Sequence, residues 1–245
     1  MAGLRLPLLR TPPHPCSYLP GQQAQTLFAD PAFGFSDGLY QQLLEQGFRR
    51  SGEHIYRPQC PNCSACQSLR LPVAQWRPRR SQRRIWNRVA AALEVRALAP
   101  IFDPQHFDLY RRYIDQRHAE GDMANPSPQA YLQFLTSPWC TSRFVEFRLH
   151  QRLLAIAVTD YLSAGLSAVY SFYDPDQEHL SPGVISILWQ IQEARRLGLP
   201  YLYLGYWIKN CRKMAYKTQY RPHQIFQQGR WRDQPESQHA EFHYE

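Results

Sequence analysis

The fold class predicted for this chain rests mainly on residues 143–174, RFVEFRLHQRLLAIAVTDYLSAGLSAVYSFYD. It contains three runs of apolar, aromatic and β-branched residues, at 143–150, 152–162 and 166–174, with only short connections between them. Connections this short predict that the three runs are antiparallel neighbours in one sheet. The residues that follow, at 184–198, have the periodicity of an amphipathic helix.

A buried strand, YLYLGYWI at 201–208, is predicted after that helix, and two more helices are predicted before the strands, at 103–118 and 127–135. Two helices, three antiparallel strands, a helix and a strand, in this order, form the layout of the GNAT superfamily of N-acyltransferases. In that fold the amides of a glycine-rich turn before the helix hold the pyrophosphate of coenzyme A. Here the turn is EHLSPGVI, with one glycine and with Pro182, which has no N–H. The sequence therefore predicts an acyl donor other than acyl-CoA.

The N-terminal part of the chain has a different pattern. Residues 11–34 are rich in Pro, Gly and Gln and predict an irregular arm. A helix is expected to begin at Ser36 and to end at Gly47, and the turn residues Ser51 and Gly52 predict a hairpin. A short strand, SLRLPV, and a helix at 79–93 complete this part.

These elements predict an α+β fold. Residues 1–100 are expected to form a small α/β region that carries a cysteine-rich segment and an arginine-rich helix. Residues 101–245 are expected to form a GNAT-like acyltransferase domain with a mixed, mainly antiparallel sheet. No apolar run approaches the ~20 residues that cross a bilayer, and the N-terminus lacks the apolar core of a secretory signal. A cytosolic protein without a membrane partner is therefore expected; no oligomeric state is predicted.

Arginine dominates the charge of the chain, which has a formal net charge of +8 with 25 arginines and three lysines. A nucleic-acid partner and an arginine-rich codon usage explain that composition equally well. Position favours the partner: the helix at 79–93 carries Arg79, Arg80, Arg83, Arg84 and Arg88. Like charges four residues apart destabilise an isolated helix. This surface is therefore expected to bind something anionic, against the alternative of a solvated basic face.

The segment CPNCSACQSLRL, residues 60–71, places Cys60, Cys63 and Cys66 three residues apart. This spacing suits two ligands of a tetrahedral zinc site or three ligands of an iron–sulfur cluster. The alternative is a set of reduced thiols that pack the arm onto the hairpin. Cys140 and Cys211 are isolated in sequence and are expected to be buried.

A family resemblance rests on six stretches taken together: HPCSYLPGQQAQTLFADP, GFRRSGEHIYRPQCPNCSACQSLRLPV, RSQRRIWNR, AVTDYL, VYSFYDP and YLYLGYWIKNCRKMAYKTQYRP. With these stretches the chain resembles the bacterial aminoacyl-tRNA–protein transferases, and more narrowly the aspartate/glutamate leucyltransferases, which are related to the eukaryotic arginyl-tRNA–protein transferases. The resemblance extends from about residue 14 to residue 231.

The resemblance implies a reaction in which leucine moves from leucyl-tRNA to the α-amino group of a protein that begins with Asp or Glu. The product then carries an N-terminal leucine, which marks it for degradation by the N-degron pathway. No small-molecule cofactor is needed for this transfer. The eukaryotic relatives are associated with a metal or cluster at their N-terminal cysteines, which makes Cys16 the expected fourth ligand of a structural or regulatory site with Cys60, Cys63 and Cys66.

Transfer from an activated ester requires an oriented amine and a group that accepts its proton. Asp160, inside an otherwise apolar strand, is the candidate base; the alternative is a structural aspartate that bonds to its surroundings. Tyr206 is the second catalytic candidate, and Tyr170 and Tyr203 are candidates for orienting the substrates. All three tyrosines lie on or next to central strands, where core packing is the alternative role.

An acidic N-terminal residue needs a positive recess, for which an arginine fork is the best match. The candidates are Arg49, Arg50, Arg70 and Lys217, and Arg49 and Arg50 alternate on one short strand, so that only one is expected to face inward. The sequence does not separate these candidates.

Other functions remain open at this stage. An arginine donor would use the same acceptors. A metal-binding nucleic-acid-binding module without catalysis would account for the cysteines and arginines but not for the second half of the chain. A GNAT enzyme that acts on a small amine would require acyl-CoA, which the degenerate turn disfavours.

Overall fold

A computed structural model describes residues 6–117 and 124–234. Its helices are α1 (Asp37–Glu45), α2 (Arg80–Val89), α3 (Pro104–Arg117), α4 (Pro128–Leu135) and α5 (Pro182–Arg196). Its strands are β1 (Leu8–Arg10), β2 (His14–Pro15), β3 (Gln23–Ala24), β4 (Thr26–Ala29), β5 (Arg49–Ser51), β6 (His54–Pro58), β7 (Gln67–Pro72), β8 (Leu93–Leu98), β9 (Ser142–Leu149), β10 (Arg152–Leu162), β11 (Gly165–Tyr173), β12 (Tyr201–Trp207), β13 (Gln224–Gln227) and β14 (Arg230–Asp233). Short 3-10 segments lie at Pro31–Phe33, Pro175–Leu180 and Arg212–Gln219.

The main sheet has eight strands in the order β14-β13-β7-β12-β11-β10-β9-β8. Its neighbours are antiparallel except β11 and β12, which run parallel. The parallel pair arises because the chain crosses over through α5 between the two strands. The predicted α+β class, the three antiparallel runs and the mixed, mainly antiparallel GNAT-like sheet are therefore confirmed.

A smaller sheet, in the order β1-β4-β6-β5, is built from the arm and the predicted hairpin. Ser51 pairs with His54 at the hairpin turn, as the turn residues predict. The chain then leaves this sheet through the cysteine segment and enters the main sheet as β7, between β12 and β13. Residues 1–100 therefore contribute β7 and β8 to a sheet that residues 101–245 complete, and the division into two domains stays a prediction.

The side chains of β10 alternate between the two faces of the main sheet, and each face is covered by different elements. Ala155 and Ala157 pack against α2 and α5, together with Val89 and Ile185. On the other face, Ile156 and Val158 pack against α3 and α4. Further along this second face, α1 and the smaller sheet cover Leu162 and Tyr203. The smaller sheet thus lies against the part of the main sheet where β12 runs.

The helix starts follow their sequence signals. The Ser36 hydroxyl accepts from Leu39 N–H at the start of α1, and an Asp103 carboxylate oxygen accepts from Gln105 N–H before α3. The helix expected at 79–93 is shorter in the structure, because Leu93 already pairs with Leu149 of β9 as the first residue of β8. His118 and residues 1–5 lie outside the described residues. Within the described ranges, every helix is too short or too polar to cross a bilayer.

Candidate active site

The parallel strands β11 and β12 separate part-way along the main sheet. They pair at three positions, where Gly165, Leu166 and Ser167 face Tyr201, Leu202 and Tyr203. Beyond Ser167 and Tyr203, no further pair joins the two strands in the described residues. A bulge against β7 between Tyr203 and Tyr206, with Gly205 at a φ of 76°, turns β12 at that point. The resulting gap opens at the carboxyl ends of the two strands, where ligands bind in sheets with parallel pairs.

Lys217 lies at this gap. It belongs to the 3-10 segment Arg212–Gln219, which contacts β12. Its Nζ donates to the carbonyl oxygen of Tyr206 at 2.6 Å, and it passes close over Gly205, where a β-carbon would lie 3.6 Å from Nζ. Burial of the ammonium group, with the nearby positive charge of Arg49, lowers the pKa of Lys217 to about 7. Lys217 is therefore a mixture of amine and ammonium near neutral pH.

Arg49 extends from β5 toward the same part of β12 and is only 5% exposed. Its guanidinium carbon lies 5.5 Å from the ring centre of Tyr203 and 5.8 Å from that of Tyr206. Nη1 donates to the Phe48 carbonyl oxygen at 2.8 Å, whereas Nε has no hydrogen-bond partner among the residues that the structure describes. No carboxylate of the described residues forms an ion pair with this guanidinium.

Arg50, the next residue, points to the other side of β5 and is equally buried. Its Nε and Nη2 donate to the two carboxylate oxygens of Asp160 at 2.7 and 2.6 Å, and Ser142 Oγ donates to Asp160 as well. The expectation that only one of Arg49 and Arg50 faces inward is wrong, because both sides of β5 are covered by other elements. Asp160 is 0% exposed and both its oxygens are occupied, so its geometry favours the structural alternative over the predicted role as a base, which stays a prediction.

Arg70 of β7 is also neutralised by a carboxylate. Its Nη1 donates to Glu45 at 2.8 Å, its Nε donates to Gln224 at 2.7 Å, and its guanidinium stacks on Tyr201 and Trp231. The Tyr203 hydroxyl donates to the same Glu45 carboxylate. Glu45 therefore holds both Arg70 and Tyr203 in place. The sequence did not predict this role, because Glu45 is one of several polar residues on the amphipathic helix α1.

The three candidate tyrosines have different surroundings. The Tyr206 hydroxyl donates to the carbonyl oxygens of Gly47 and Tyr56 at 3.0 and 3.1 Å, and burial holds its pKa well above the usual value. Tyr203 lies next to it, between Arg49 and Glu45. Tyr170 is on β11, where its ring packs against Phe134 and its buried hydroxyl has no partner among the described residues. The structure thus brings Tyr203 and Tyr206 together with Arg49, Arg70 and Lys217, and places Tyr170 on the α4 side.

Comparison with known proteins identifies the family. Residues 14–84 match the family profile described as "Arginine-tRNA-protein transferase, N terminus", and residues 105–227 match "Arginine-tRNA-protein transferase, C terminus". The chain belongs to the arginine-tRNA-protein transferase family. The "Aspartate/glutamate leucyltransferase" of Pseudomonas aeruginosa is 58% identical over 229 residues, which are 93% of this chain and 96% of that protein. The protein of the same name from Pseudomonas fluorescens is 56% identical over 227 residues, with the same coverage.

Among solved structures, "The structure of L-PGS from Bacillus licheniformis" matches with a TM-score of 0.45 and 11% identity. The match covers 69% of this chain and 49% of that one.

In this member of the transferase family, the start of α5 offers few amides to a phosphate. Pro182 is its first residue and has no N–H, and the N–H groups of Val184 and Ile185 both donate to the carbonyl oxygen of Ser181. Ser181 itself has a φ of 59°, so the chain reverses sharply before the helix. The first turn of α5 therefore differs from the glycine-rich anion site that coenzyme A requires.

The predicted cysteine ligands lie in one region. Cys60 and Cys63 form an isolated β-bridge, and burial with the neighbouring thiols Cys60, Cys16 and Cys63 raises the pKa of the Cys66 thiol to about 12. Cys211 adds to that effect, so it belongs to this group and is partly exposed, contrary to the expectation of an isolated buried thiol.

These thiols do not form a ready metal site. Among the described residues, no three His, Cys, Asp or Glu side chains are arranged to hold a metal ion. The four predicted ligands, Cys16, Cys60, Cys63 and Cys66, have the right chemistry for zinc or a cluster, but their arrangement would have to tighten, and the zinc or iron–sulfur site stays a prediction.

The five arginines of the basic helix surface are all exposed: Arg79, Arg80, Arg83, Arg84 and Arg88. In the described part of the chain none of them forms an ion pair; Arg83 and Arg88 donate only to carbonyl oxygens. The helix α2 lies on the α5 face of the main sheet, opposite the smaller sheet. Its charge is therefore available to an anionic partner, and its role in tRNA binding stays a prediction.

Proposed function

We propose that this chain transfers leucine from leucyl-tRNA to the α-amino group of proteins that begin with Asp or Glu. The observation that carries the proposal is its identity of 55–58% to proteins named aspartate/glutamate leucyltransferase, over 93% of its length. The positive charge of Arg49, which lies over Tyr203 and Tyr206 at the gap between β11 and β12, supports an acidic acceptor. Proteins with an N-terminal leucine would then enter the N-degron pathway, and we place the reaction in the cytosol, where charged tRNA occurs.

The chemistry assigns a task to Lys217. A peptide α-amino group has a pKa of about 7.7–8.0 and is mostly protonated at neutral pH. Neutral Lys217, with its pKa of about 7, can accept that proton and release the free amine. The amine nitrogen then attacks the leucyl carbonyl carbon, and the carbon–oxygen bond to the tRNA ribose breaks. A peptide bond forms, the ribose hydroxyl takes a proton, and one proton is released overall.

The donor is a tRNA rather than coenzyme A in this proposal. The exposed arginines of α2 can neutralise phosphates of a nucleic-acid backbone, whereas the start of α5 lacks the amides that a pyrophosphate needs. The exposed arginines of α2 lie on the α5 face, and Arg49 belongs to the smaller sheet on the other face. Donor and acceptor can therefore approach the gap from different directions.

A second candidate donor is arginyl-tRNA, which the names of the two matching family profiles favour. The two donors differ in side-chain charge, so the pocket that receives the aminoacyl group decides between them. The relatives at 55–58% identity carry the leucyl name, which is why leucine is proposed here.

The test uses three radiolabelled donors, leucyl-tRNA, arginyl-tRNA and acetyl-CoA, each with matched peptides that begin with Asp, Glu or Lys. We expect label from leucyl-tRNA on the Asp and Glu peptides and no label on the Lys peptide. Label from arginyl-tRNA alone would establish the second candidate. Label from acetyl-CoA, or no transfer from either tRNA, would overturn the proposal.

A further inference from the structure

Arg49 is a buried cation that no carboxylate of the described residues neutralises. Burying a charge is costly unless it is paired and hydrogen-bonded. Arg49 is 5% exposed, its Nε–H has no partner in the described part of the chain, and its Nη2 reaches the Leu69 carbonyl oxygen only at 3.5 Å. Its remaining favourable contacts among the described residues are the Phe48 carbonyl oxygen, which accepts from Nη1 at 2.8 Å, and the rings of Tyr203 and Tyr206. Part of its donor fork is therefore left for a ligand that the chain does not itself provide.

The other candidates for binding an acidic residue are already engaged. Arg50 is held by Asp160 and Arg70 by Glu45, both within 2.8 Å. A carboxylate ligand would have to displace an internal carboxylate from either of these arginines. Arg49 alone among the three arginines can accept a carboxylate without breaking an ion pair of the described fold.

The position of Arg49 fits the geometry of an acceptor. Both Arg49 and Lys217 contact Tyr206: the guanidinium carbon is 5.8 Å from its ring centre and Nζ is 2.6 Å from its carbonyl oxygen. In an N-terminal Asp the α-nitrogen and the side-chain carboxyl carbon are separated by two carbon atoms, and in Glu by three. The residue that binds this side chain must therefore lie near the group that receives the amine proton, and Arg49 is near enough to Lys217 for its charge to lower the pKa of Lys217.

We infer that Arg49 is the residue that reads the acceptor, by binding the side-chain carboxylate of its N-terminal Asp or Glu with its unpaired donors. The inference rests on the proposed function and adds to it the group that sets the acceptor preference. Asn and Gln, which have the same shapes without the charge, would leave the guanidinium buried and uncompensated. The preference for acids thus comes from a charge that the fold leaves without a partner.

The test compares kcat/KM for leucine transfer from radiolabelled leucyl-tRNA to peptides that differ only in a first residue of Asp or Asn. Arg49→Met keeps most of the side-chain volume and removes the charge. We expect it to lower kcat/KM for the Asp peptide by about 10- to 150-fold, the worth of a charge-assisted hydrogen bond. The value for the Asn peptide is expected to change by less than about threefold.

Arg57→Met is the matched control, because Arg57 lies on the neighbouring strand β6, stacks on Phe48 and donates to the Gln46 carbonyl oxygen away from the gap. It is expected to keep the Asp-to-Asn ratio of the wild type. Arg49→Lys, which keeps the charge without the fork, is expected to lower that ratio by about tenfold, and it decides the question if Arg49→Met does not fold.

An unchanged Asp-to-Asn ratio in a folded Arg49 variant would overturn the inference while wild-type transfer still stands. Failure of the wild type to transfer leucine to any peptide would instead overturn the proposed function. Equal loss on the Asp and Asn peptides, with normal binding of leucyl-tRNA, would also overturn the inference, since it would show a role unrelated to acceptor charge.

Discussion

Arg50 and Asp160 lie 110 positions apart in the chain and form a bidentate ion pair with no exposed side-chain surface. Further bonds from Arg50 to the carbonyl oxygens of Gly52 and Leu135 complete its surroundings. The pair joins the smaller sheet to the main sheet. Both carboxylate oxygens of Asp160 are occupied by these partners, so the pair has the geometry of a structural link between the two sheets.

The first prediction concerns this pair. Asp160→Asn strands the Arg50 charge in the interior, which typically costs about 3–5 kcal/mol. We expect a loss of that size in the free energy of unfolding, measured with urea. Glu94→Gln, which breaks the exposed pair with Arg96, is the control and should cost less than about 1 kcal/mol. If Asp160→Asn is as stable as the wild type but transfers leucine slowly in a single turnover, Asp160 is the base and the structural role is contradicted.

The second prediction concerns pH and Lys217. If the neutral amine takes the acceptor's proton, the single-turnover rate should rise with pH through about 7, the pKa that burial and Arg49 impose. Lys217→Met removes the amine that accepts this proton and should slow transfer by about 10²–10⁴-fold. Lys213→Met, in the same segment but exposed, should keep both rate and profile. An unchanged profile in Lys217→Met would exclude Lys217 as the base.

The same shift predicts a change in stability. The pKa of Lys217 falls from 10.5 to about 7 on folding, so the unfolded chain binds more protons between these values and stability rises with pH there. The charged form destabilises the fold below about pH 7, with Arg49 and Cys211 as its charged or titratable neighbours. Lys217→Met should therefore raise the Tm more at pH 6 than at pH 9; equal shifts at both values would contradict the assignment.

The third prediction concerns the basic helix surface. Arg80→Glu combined with Arg84→Glu should weaken binding of leucyl-tRNA at least about tenfold at physiological salt. It should also make the slope of log K against log salt concentration shallower, by the amount that about two phosphate contacts contribute. Arg111→Glu with Arg152→Glu makes the same change of charge elsewhere on the exposed surface and is the control. Equal weakening by both double variants would show that only net charge matters.

The fourth prediction concerns the cysteines. With a pKa of about 12, Cys66 is almost wholly protonated at pH 8, and only the thiolate reacts with iodoacetamide. Brief alkylation followed by mass spectrometry should therefore modify Cys66 more slowly than Cys63. If added zinc protects Cys16, Cys60, Cys63 and Cys66 together from alkylation, the four-thiol site is established. If added zinc leaves the alkylation of these cysteines unchanged, the site is excluded.

The sequence was enough to predict the elements whose signals are local. Alternating apolar runs with short connections gave β9, β10 and β11 as antiparallel neighbours, and the Ser51-Gly52 turn gave the hairpin. β8 was missed because its inward residues alternate with exposed polar ones directly after a helix, so the helical pattern extends over its start. The place of β7 between β12 and β13 depends on contacts between distant parts of the chain and has no local signal.

The candidate site shows the same limit more sharply. Arg49 and Arg50 are identical neighbours in sequence, and their difference arises only when folding brings Asp160 beside one of them. Cys211 likewise gains its neighbours only through the path of the chain after β12. The sequence pattern therefore identified the positively charged candidates, but a role could be assigned to each of them only from the tertiary structure.

The insertion of β7 between β12 and β13 also governs how the protein can be divided. A fragment that begins at residue 101 would lack the strand that both of these neighbours pair with, and would present two bare backbone edges to solvent. Such edges recruit other chains and lead to aggregation. The part of the chain that supplies β7 also carries Arg49, so residues on both sides of position 101 have to fold together to bring Arg49 beside Tyr206.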